Sequence, residues 1–265
     1  MEVNQNVMAR AIEKVVRSDH RDMEINPDRI VLFRLGPVPI SATLVSTWLV
    51  MALLLLASIL ATWRLRPTLK PTLWQSFIEA LIELIRNQIG ETTRQDPDEL
   101  LPFVGTLFLF IATSNLLGEL LPGFHPPTAS LSTTTALALL VFFAVPYYGV
   151  KTVGPVRYLR HYLEPHPLIL PFHIIGEFSR TLALAFRLYG NILGGGIIGA
   201  VILLLVPFLL PVLFQLFELL IGLIQAYIFA MLALVYIASA RTAQEEHLLG
   251  GPGGGSESDS TREKR

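Results

Sequence analysis

The sequence predicts an all-α integral membrane protein with five membrane-spanning helices and one amphipathic surface helix, the last two spans forming a strongly tilted hairpin. Hydrophobic residues make up 52% of the chain and charged residues only 15%, and the mean hydropathy of +0.55 is too high for a soluble domain of this size. Four apolar runs reach or exceed the roughly 20 residues that cross hydrocarbon as a helix. The sequence lacks the short alternating strands of a barrel, and backbone amides in lipid must pair internally, so these runs are expected to be helical.

The predicted elements follow the apolar runs along the chain. Spans are expected at about residues 43–64, 102–121, 131–150, 170–205 and 212–239. The segment at about 71–93 is too polar to span, has its apolar residues near one face and begins with Pro71, so we predict an amphipathic helix in the membrane surface. Residues 1–39 are expected to form an N-terminal surface segment before a membrane domain of residues 40–247. Residues 248–265, rich in glycine, serine and charge, cannot bury a core and are predicted to be a disordered tail.

The distribution of charge predicts the orientation in the membrane. Basic residues such as Arg64, Lys151 and Arg241 follow the first, third and fifth spans, whereas the connections at 122–130 and 206–211 contain no lysine or arginine. By the positive-inside rule, the N-terminus is expected outside and the C-terminus in the cytoplasm. The N-terminal stretch does not read as a cleavable signal. A net charge of −1 gives no reason to expect nucleic acid as a partner, and the absence of cysteine excludes disulfides, thiolate metal sites and cysteine nucleophiles.

The last two predicted spans are longer than a membrane requires. As helices, residues 170–205 and 212–238 would measure roughly 50 Å and roughly 40 Å, against roughly 30 Å of hydrocarbon, so they are expected to tilt strongly. The polar residues on each helix share one face, which predicts a hydrophilic path along the hairpin. These residues are Glu177, Arg180, Arg187 and Asn191 on the first helix, and Glu218, Gln225 and Tyr236 on the second.

Arg187 is the most informative of these residues. Apolar residues surround it in the sequence, so its side chain cannot easily reach water, and holding an arginine in the membrane costs at least about 3 kcal/mol. Its guanidinium stays charged, so it is a poor proton relay and needs an anionic partner, permanent or recurring. A fixed cation beside a pathway is suited to attracting a passing carboxylate and to blocking the direct leakage of ions.

Simpler structural roles remain open for each of these residues. Arg187 could form a permanent ion pair with Glu177, Glu218 or Glu119. Glu218 could be a protonated, hydrogen-bonded packing residue, and Asn191 and Gln225 could only join helices. Tyr236 could belong to an interfacial aromatic belt, and the glycines at 194–196 could simply permit close helix packing.

Several motifs, in order and spacing, resemble one known family. The segment Arg187–Asn191, within residues 179–199, is similar to the signature of subunit a of F-type ATP synthases, the membrane stator beside the rotating c-ring. The resemblance extends from about Trp74 to His247. The other matching motifs are Asn115–Gly118 before Leu121–Gly123, Pro127–Ala129 before Leu131–Thr134, Leu223–Phe229, Val235–Ile237 and Glu245–His247.

The resemblance implies a mechanism. Two offset aqueous half-channels would meet the c-ring near the middle of the membrane, and the residue matching Arg187 would separate them and promote deprotonation of a passing c-subunit carboxylate. The partners would be the c-ring, the peripheral-stalk b subunits, the rest of the ATP synthase and membrane lipid, most naturally in a bacterial plasma membrane. The transported ion would be H⁺, with Na⁺ as the alternative. No cofactor is expected, and the chain alone would catalyse no reaction.

The resemblance also assigns residues to the two half-channels. Many family members pair two titratable groups, one nine residues after the arginine and one on the last helix; here these positions are Gly196 and Glu218. The relay would then rely on Glu218 with water beside the glycines, or on another acid such as Glu119. The implied outer half-channel comprises Asn191, Glu218 and Gln225, with Glu119 at its entrance; the cytoplasmic one comprises Glu177, Ser179, Arg180 and Tyr236.

Two other functions compete with this interpretation. A secondary transporter could bind a small anion at Arg187, although such folds usually show two related halves and no repeat of the Arg187 region occurs in the first 150 residues. A non-catalytic membrane scaffold could use Arg187 to pair with a fixed subunit.

Overall fold

The computed structural model describes residues 31–35, 38–64, 73–93, 97–121, 123–155, 170–205 and 209–249. Two short 3₁₀ helices, Pro97–Glu99 and Pro127–Ala129, lie directly before the second and third spans. The α-helices are α1 (Ala42–Arg64), α2 (Leu73–Thr93), α3 (Leu101–Leu120), α4 (Leu131–Val153), α5 (Leu170–Leu205) and α6 (Leu210–Leu249).

Five helices in the described part of the chain are long and apolar enough to cross a membrane. They are Ala42–Ala61, Leu101–Leu120, Leu131–Thr152, Ile175–Leu205 and Leu210–Ala240. The remaining helix, α2, contains Glu79, Glu83, Arg86 and Glu91 and is too polar to span. The predicted fold class, an all-α integral membrane protein of five spans, is therefore confirmed.

A short β-hairpin precedes the first span and was not predicted. Strands β1 (Val31–Leu35) and β2 (Val38–Ser41) pair antiparallel, with Leu35 opposite Val38 and Arg34 opposite Pro39. The sequence between the strands is Gly36-Pro37, a dipeptide that favours turns. The valine and isoleucine content of both strands favours extended backbone, but the segment is too short to stand out from its apolar surroundings.

The two long C-terminal helices have nearly the predicted bounds. α5 has 36 residues, as expected, whereas α6 has 40 and continues to Leu249, ten residues past the predicted end of the last span. Leu248 and Leu249 were assigned to the disordered tail and are helical; the rest of that tail, and residues 1–30, lie outside the described residues. The division into surface segment, membrane domain and tail stays a prediction.

The core lies where α3, α4, α5 and α6 meet. α3 packs most extensively on α6, and α4 packs on α5, while α1 touches the bundle mainly through α3. One buried cluster joins all four helices, through Ile111, Val141, Leu188 and Phe229, each at most 1% exposed. A second cluster extends it to the end of α2 at Ile89. The later spans therefore form a packed unit, and α1 leaves most of its apolar surface uncovered.

The connection between α3 and α4 folds back onto α3. Gly123 turns the chain with φ = +81°, a conformation that favours glycine. Pro126 then lies against Gly118, so closely that a Cβ at position 118 would be 2.7 Å from Cγ of Pro126. The glycine at 118 therefore lets the connection dock on the helix.

Substitution of Gly118 by alanine should destabilise the protein by about 1–3 kcal/mol, because the rigid proline ring cannot move away without displacing the connection. Gly105→Ala, in the same helix, is the matched control, since a Cβ at position 105 meets no atom within 4 Å. Thermal denaturation of the purified protein in detergent measures both effects. Equal melting temperatures for the two variants would contradict this account of the contact.

Candidate functional site

Arg187 lies on the outward face of α5. Leu184, Ala185 and Leu188 point into the core and are at most 2% exposed. Phe186 and Arg187 are exposed, so their side of the helix faces away from the bundle. Within the described residues Arg187 has no hydrogen bond and no ion pair. The permanent pairs with Glu119, Glu177 or Glu218 that the sequence left open are therefore not formed in this structure. Because Arg187 lies within a candidate membrane span, its charge requires an anionic partner from outside the described residues.

Glu177, Arg180 and Tyr236 come together where α5 begins and α6 nears its membrane end. Arg180 Nη1 donates to Glu177 Oε1 at 3.2 Å, and its guanidinium carbon lies 5.5 Å from the centre of the Tyr236 ring. The cation–π contact joins the two helices across the hairpin. Ser179 is exposed beside this group. The structure thus brings together three of the four residues that the sequence assigned to one end of the path.

Glu218 occupies the junction of three helices. Its carboxyl group lies directly over Gly195 of α5: a Cβ at position 195 would be 2.6 Å from Glu218 Cδ and 2.9 Å from Oε1. Glu119 of α3 is close enough to interact electrostatically with Glu218. Both carboxyl groups are partly buried. Two acids at one helix junction, one of them seated against a glycine, form a site that can take up and pass a proton.

The glycine that lies against the Glu218 carboxyl group is Gly195, the neighbour of Gly196, the position that the resemblance pairs with Glu218. Gly196 is exposed, and a Cβ there would meet no atom within 4 Å. Neighbouring residues on an α-helix point about 100° apart, so only one of the two glycines can face α6. The resemblance supplied the position by counting from the arginine, and counting does not determine which residue faces the partner helix.

Asn191 and Gln225 lie between the two ends of the path. Asn191 is partly buried on α5, one turn beyond Arg187. Gln225 on α6 is only 7% exposed, and its Nε2 has no hydrogen-bond partner within the described part of the chain. A buried amide without a partner is costly, and a water molecule is the usual solution. Gln225 therefore presents a buried amide whose Nε2 has no partner among the described residues.

Three polar residues at or beside the α3–α6 contact had no predicted role. Asn115 and Thr128 belong to motifs that carry the family resemblance, and Gln215 does not. Asn115 Nδ2 donates to the carbonyl of Gly222 at 2.9 Å, and Thr128 Oγ1 donates to Asn115 Oδ1 at 2.7 Å. Gln215 Nε2 donates to the backbone carbonyl of Glu119. One signal pointed to them: Gly222 interrupts an apolar helix, which indicates a close approach by a neighbour.

These features define a class of protein: a polytopic helical membrane protein whose last two helices carry ionisable residues within their membrane spans. The sequence model of the family described as "ATP synthase A chain" matches residues 44–238. The chain therefore belongs to the ATP synthase A chain family.

Curated relatives agree with this assignment. "ATP synthase subunit a 2" of Picosynechococcus sp. is 55% identical over 226 residues, which cover 84% of this chain and 96% of the relative. "ATP synthase subunit a" of Nitrosospira multiformis is 48% identical over 225 residues, covering 85% of this chain and 89% of the relative. "ATP synthase subunit a 1" of Chlorobaculum parvum is also 48% identical, over 84% of this chain and 99% of the relative.

Proposed function

We propose that this chain is the stator subunit of the membrane sector of an F-type ATP synthase, in which it conducts ions past a rotating ring of c subunits. The observation that carries the proposal is Arg187, a permanent cation on the outward face of α5 with no partner in the described part of the chain. A charge at that depth needs an anion. A carboxylate that arrives with each c subunit supplies one, and each departure leaves the arginine free for the next.

The arginine acts on that carboxylate by electrostatics. Unit charges 4 Å apart interact by about 4 kcal/mol at an effective dielectric of about 20, which is large enough to lower the pKa of a c-subunit carboxyl by a few units. The carboxyl therefore loses its proton near Arg187. Because the guanidinium does not release a proton itself, it also separates the two sides of the membrane.

The outer half-channel is proposed to run along the α3–α6 contact. Glu119 lies at its entrance, at the end of α3, and passes protons to Glu218 at the three-helix junction. The glycine at 195 leaves space for the Glu218 carboxyl group on the α5 side. Gln225, which is buried and has no partner for its Nε2 among the described residues, continues the polar path with Asn191 towards Arg187.

The cytoplasmic half-channel is proposed to open beside Arg180. Glu177, Ser179 and Tyr236 surround it, and Ser179 and Arg180 are exposed at this end of α5, where the proposal has water reach them. This assignment follows the predicted orientation, with the C-terminus in the cytoplasm. We propose a bacterial plasma membrane as the location, the proton as the ion, and the c-ring, the b subunits and the rest of the complex as partners.

A disulfide-crosslinking experiment tests the position of the c-ring. The chain has no cysteine, so Phe186→Cys places one thiol on the outward face beside Arg187, where the side chain is 53% exposed. With a second cysteine placed beside the carboxylate of the c subunit, mild oxidation of the assembled complex should yield a crosslinked a–c product.

Leu188→Cys is the matched control, because Leu188 lies two residues away and is 0% exposed. It should give no a–c product under the same conditions. A complex that crosslinks equally at both positions, or at Leu188 alone, would contradict the proposal that the Arg187 face of α5 meets the ring.

A further inference from the structure

A chain of hydrogen bonds joins α3, the connection to α4, and α6. It starts at Ser114 Oγ, 3.1 Å from Thr128 Oγ1, continues from Thr128 to Asn115 Oδ1, and ends at the carbonyl of Gly222. Ser114 and Thr128 are 0% exposed and Asn115 is 6% exposed. Buried polar groups without water depend on such bonds, and a fully paired network fixes one arrangement of the elements it joins.

The direction of each bond follows from the groups available. Each hydroxyl has one hydrogen to donate, and that of Thr128 is directed to Asn115, so Ser114 must donate to Thr128. The amide of Asn115 accepts through Oδ1 and donates through Nδ2, which leaves one orientation that satisfies both ends. The carbonyl of Gly222 lies inside α6, so this bond fixes the height and rotation of that helix.

The absence of a side chain at position 222 makes the contact possible. A Cβ there would be 3.1 Å from Asn115 Cβ, tighter than about nine in ten real contacts of this kind. Glycine inside a helix costs about 1 kcal/mol relative to alanine. At position 222 it allows the backbone of α6 to approach Asn115.

Glu218 is one helical turn before Gly222. On its other side, three residues earlier, Gln215 donates to the carbonyl of Glu119 at the end of α3, one of the helix-end carbonyls that lack an intrahelical partner. Glu218 is therefore bracketed on α6 by two links to α3. A rotation of α6 by one residue, about 100°, would take its carboxyl group away from Gly195.

We infer that Ser114, Asn115 and Thr128 are positioning residues: they form a buried clamp that holds the Glu218 carboxyl group against Gly195 and opposite Glu119. The clamp carries no proton itself. The inference rests on the proposed role of Glu218 in proton transfer. It adds that the chemistry of Glu218 depends on hydrogen bonds about one turn away, on a different element of the fold.

Thr128→Val tests the clamp, because it keeps the shape of the side chain and removes the hydroxyl. In inverted membrane vesicles containing the complete ATP synthase, we expect ATP-driven proton pumping to fall several-fold. The pH midpoint of pumping should move by at least about half a unit, because the Glu218 carboxyl group would change its burial against Gly195 and its distance from Glu119. Thr128→Ser, which keeps the hydroxyl, should restore the wild-type midpoint.

Gly222→Ala disrupts the clamp in a second, independent way. It tests the clamp if the complex with Thr128→Val does not assemble. The variant should also move the pH midpoint, since its Cβ pushes Asn115 away from the carbonyl. An assembled variant with an unchanged midpoint would overturn the clamp. Glu218→Gln separates failure of the clamp from failure of the proposed function. If Glu218→Gln leaves pumping intact, Glu218 carries no protons. If it blocks pumping while the clamp variants keep the wild-type midpoint, only the clamp is refuted.

Discussion

Replacement of Arg187 by lysine should reduce ATP-driven proton pumping at least about a hundredfold, although the positive charge is kept. The guanidinium is planar and can bind a carboxylate through two parallel bonds, whereas an ammonium group is a compact, strongly hydrated point charge on a flexible stem. A hundredfold loss corresponds to about 2.7 kcal/mol of the barrier. Acidification of inverted vesicles on addition of ATP measures the pumping rate.

Arg86→Lys is the matched control for this substitution. Arg86 lies on α2, outside both proposed half-channels, and its side chain is half exposed and already paired with Asp98, so the variant should keep most of its activity. Arg187→Ala should abolish pumping and raise passive proton leakage through the assembled complex, because the barrier between the half-channels is removed. Normal pumping by the alanine variant would refute the stator role.

The helices could be predicted from sequence because the membrane imposes the pattern. Each span must satisfy its own backbone hydrogen bonds and cover about 30 Å of hydrocarbon, so length and apolar composition suffice. Arg187 was identifiable for the same reason: a charge inside an apolar run has a large energetic cost. In both cases the signal lies within one segment of the chain.

The contacts between segments could not be predicted in the same way. Asn115 and Gly222 are 107 residues apart and meet through a backbone carbonyl, which has no signature in the sequence. The choice between Gly195 and Gly196 depends on how α5 is rotated against α6, and a run of three glycines leaves that rotation undetermined. The hairpin at Val31–Ser41 was missed because two short strands resemble the edge of an apolar run.

Glu218→Gln should slow proton transfer at least about tenfold while the complex still assembles. Glutamine has nearly the same shape as glutamate, so packing against Gly195 and the α3–α6 contact are retained, but the side chain can no longer take up and release a proton. Proton flux through the membrane sector after removal of the soluble ATPase sector measures the step directly. Unchanged flux would show that Glu218 is a packing residue, the simpler role that the sequence left open.

The adjacent glycines give a sharper form of the same test. Gly195→Ala keeps the glutamate at position 218 but adds a methyl group in the space that its carboxyl group occupies, 2.6 Å from Cδ. The end of a glutamate side chain can swing away at small cost, so stability should hardly change while proton flux falls about tenfold, the lost rate corresponding to about 1.4 kcal/mol. Gly196→Ala adds the same methyl group to open space and should conduct normally. The reverse result, with Gly196→Ala impaired and Gly195→Ala active, would mean that Glu218 exchanges its proton on the other side of α5, away from the glycine it contacts.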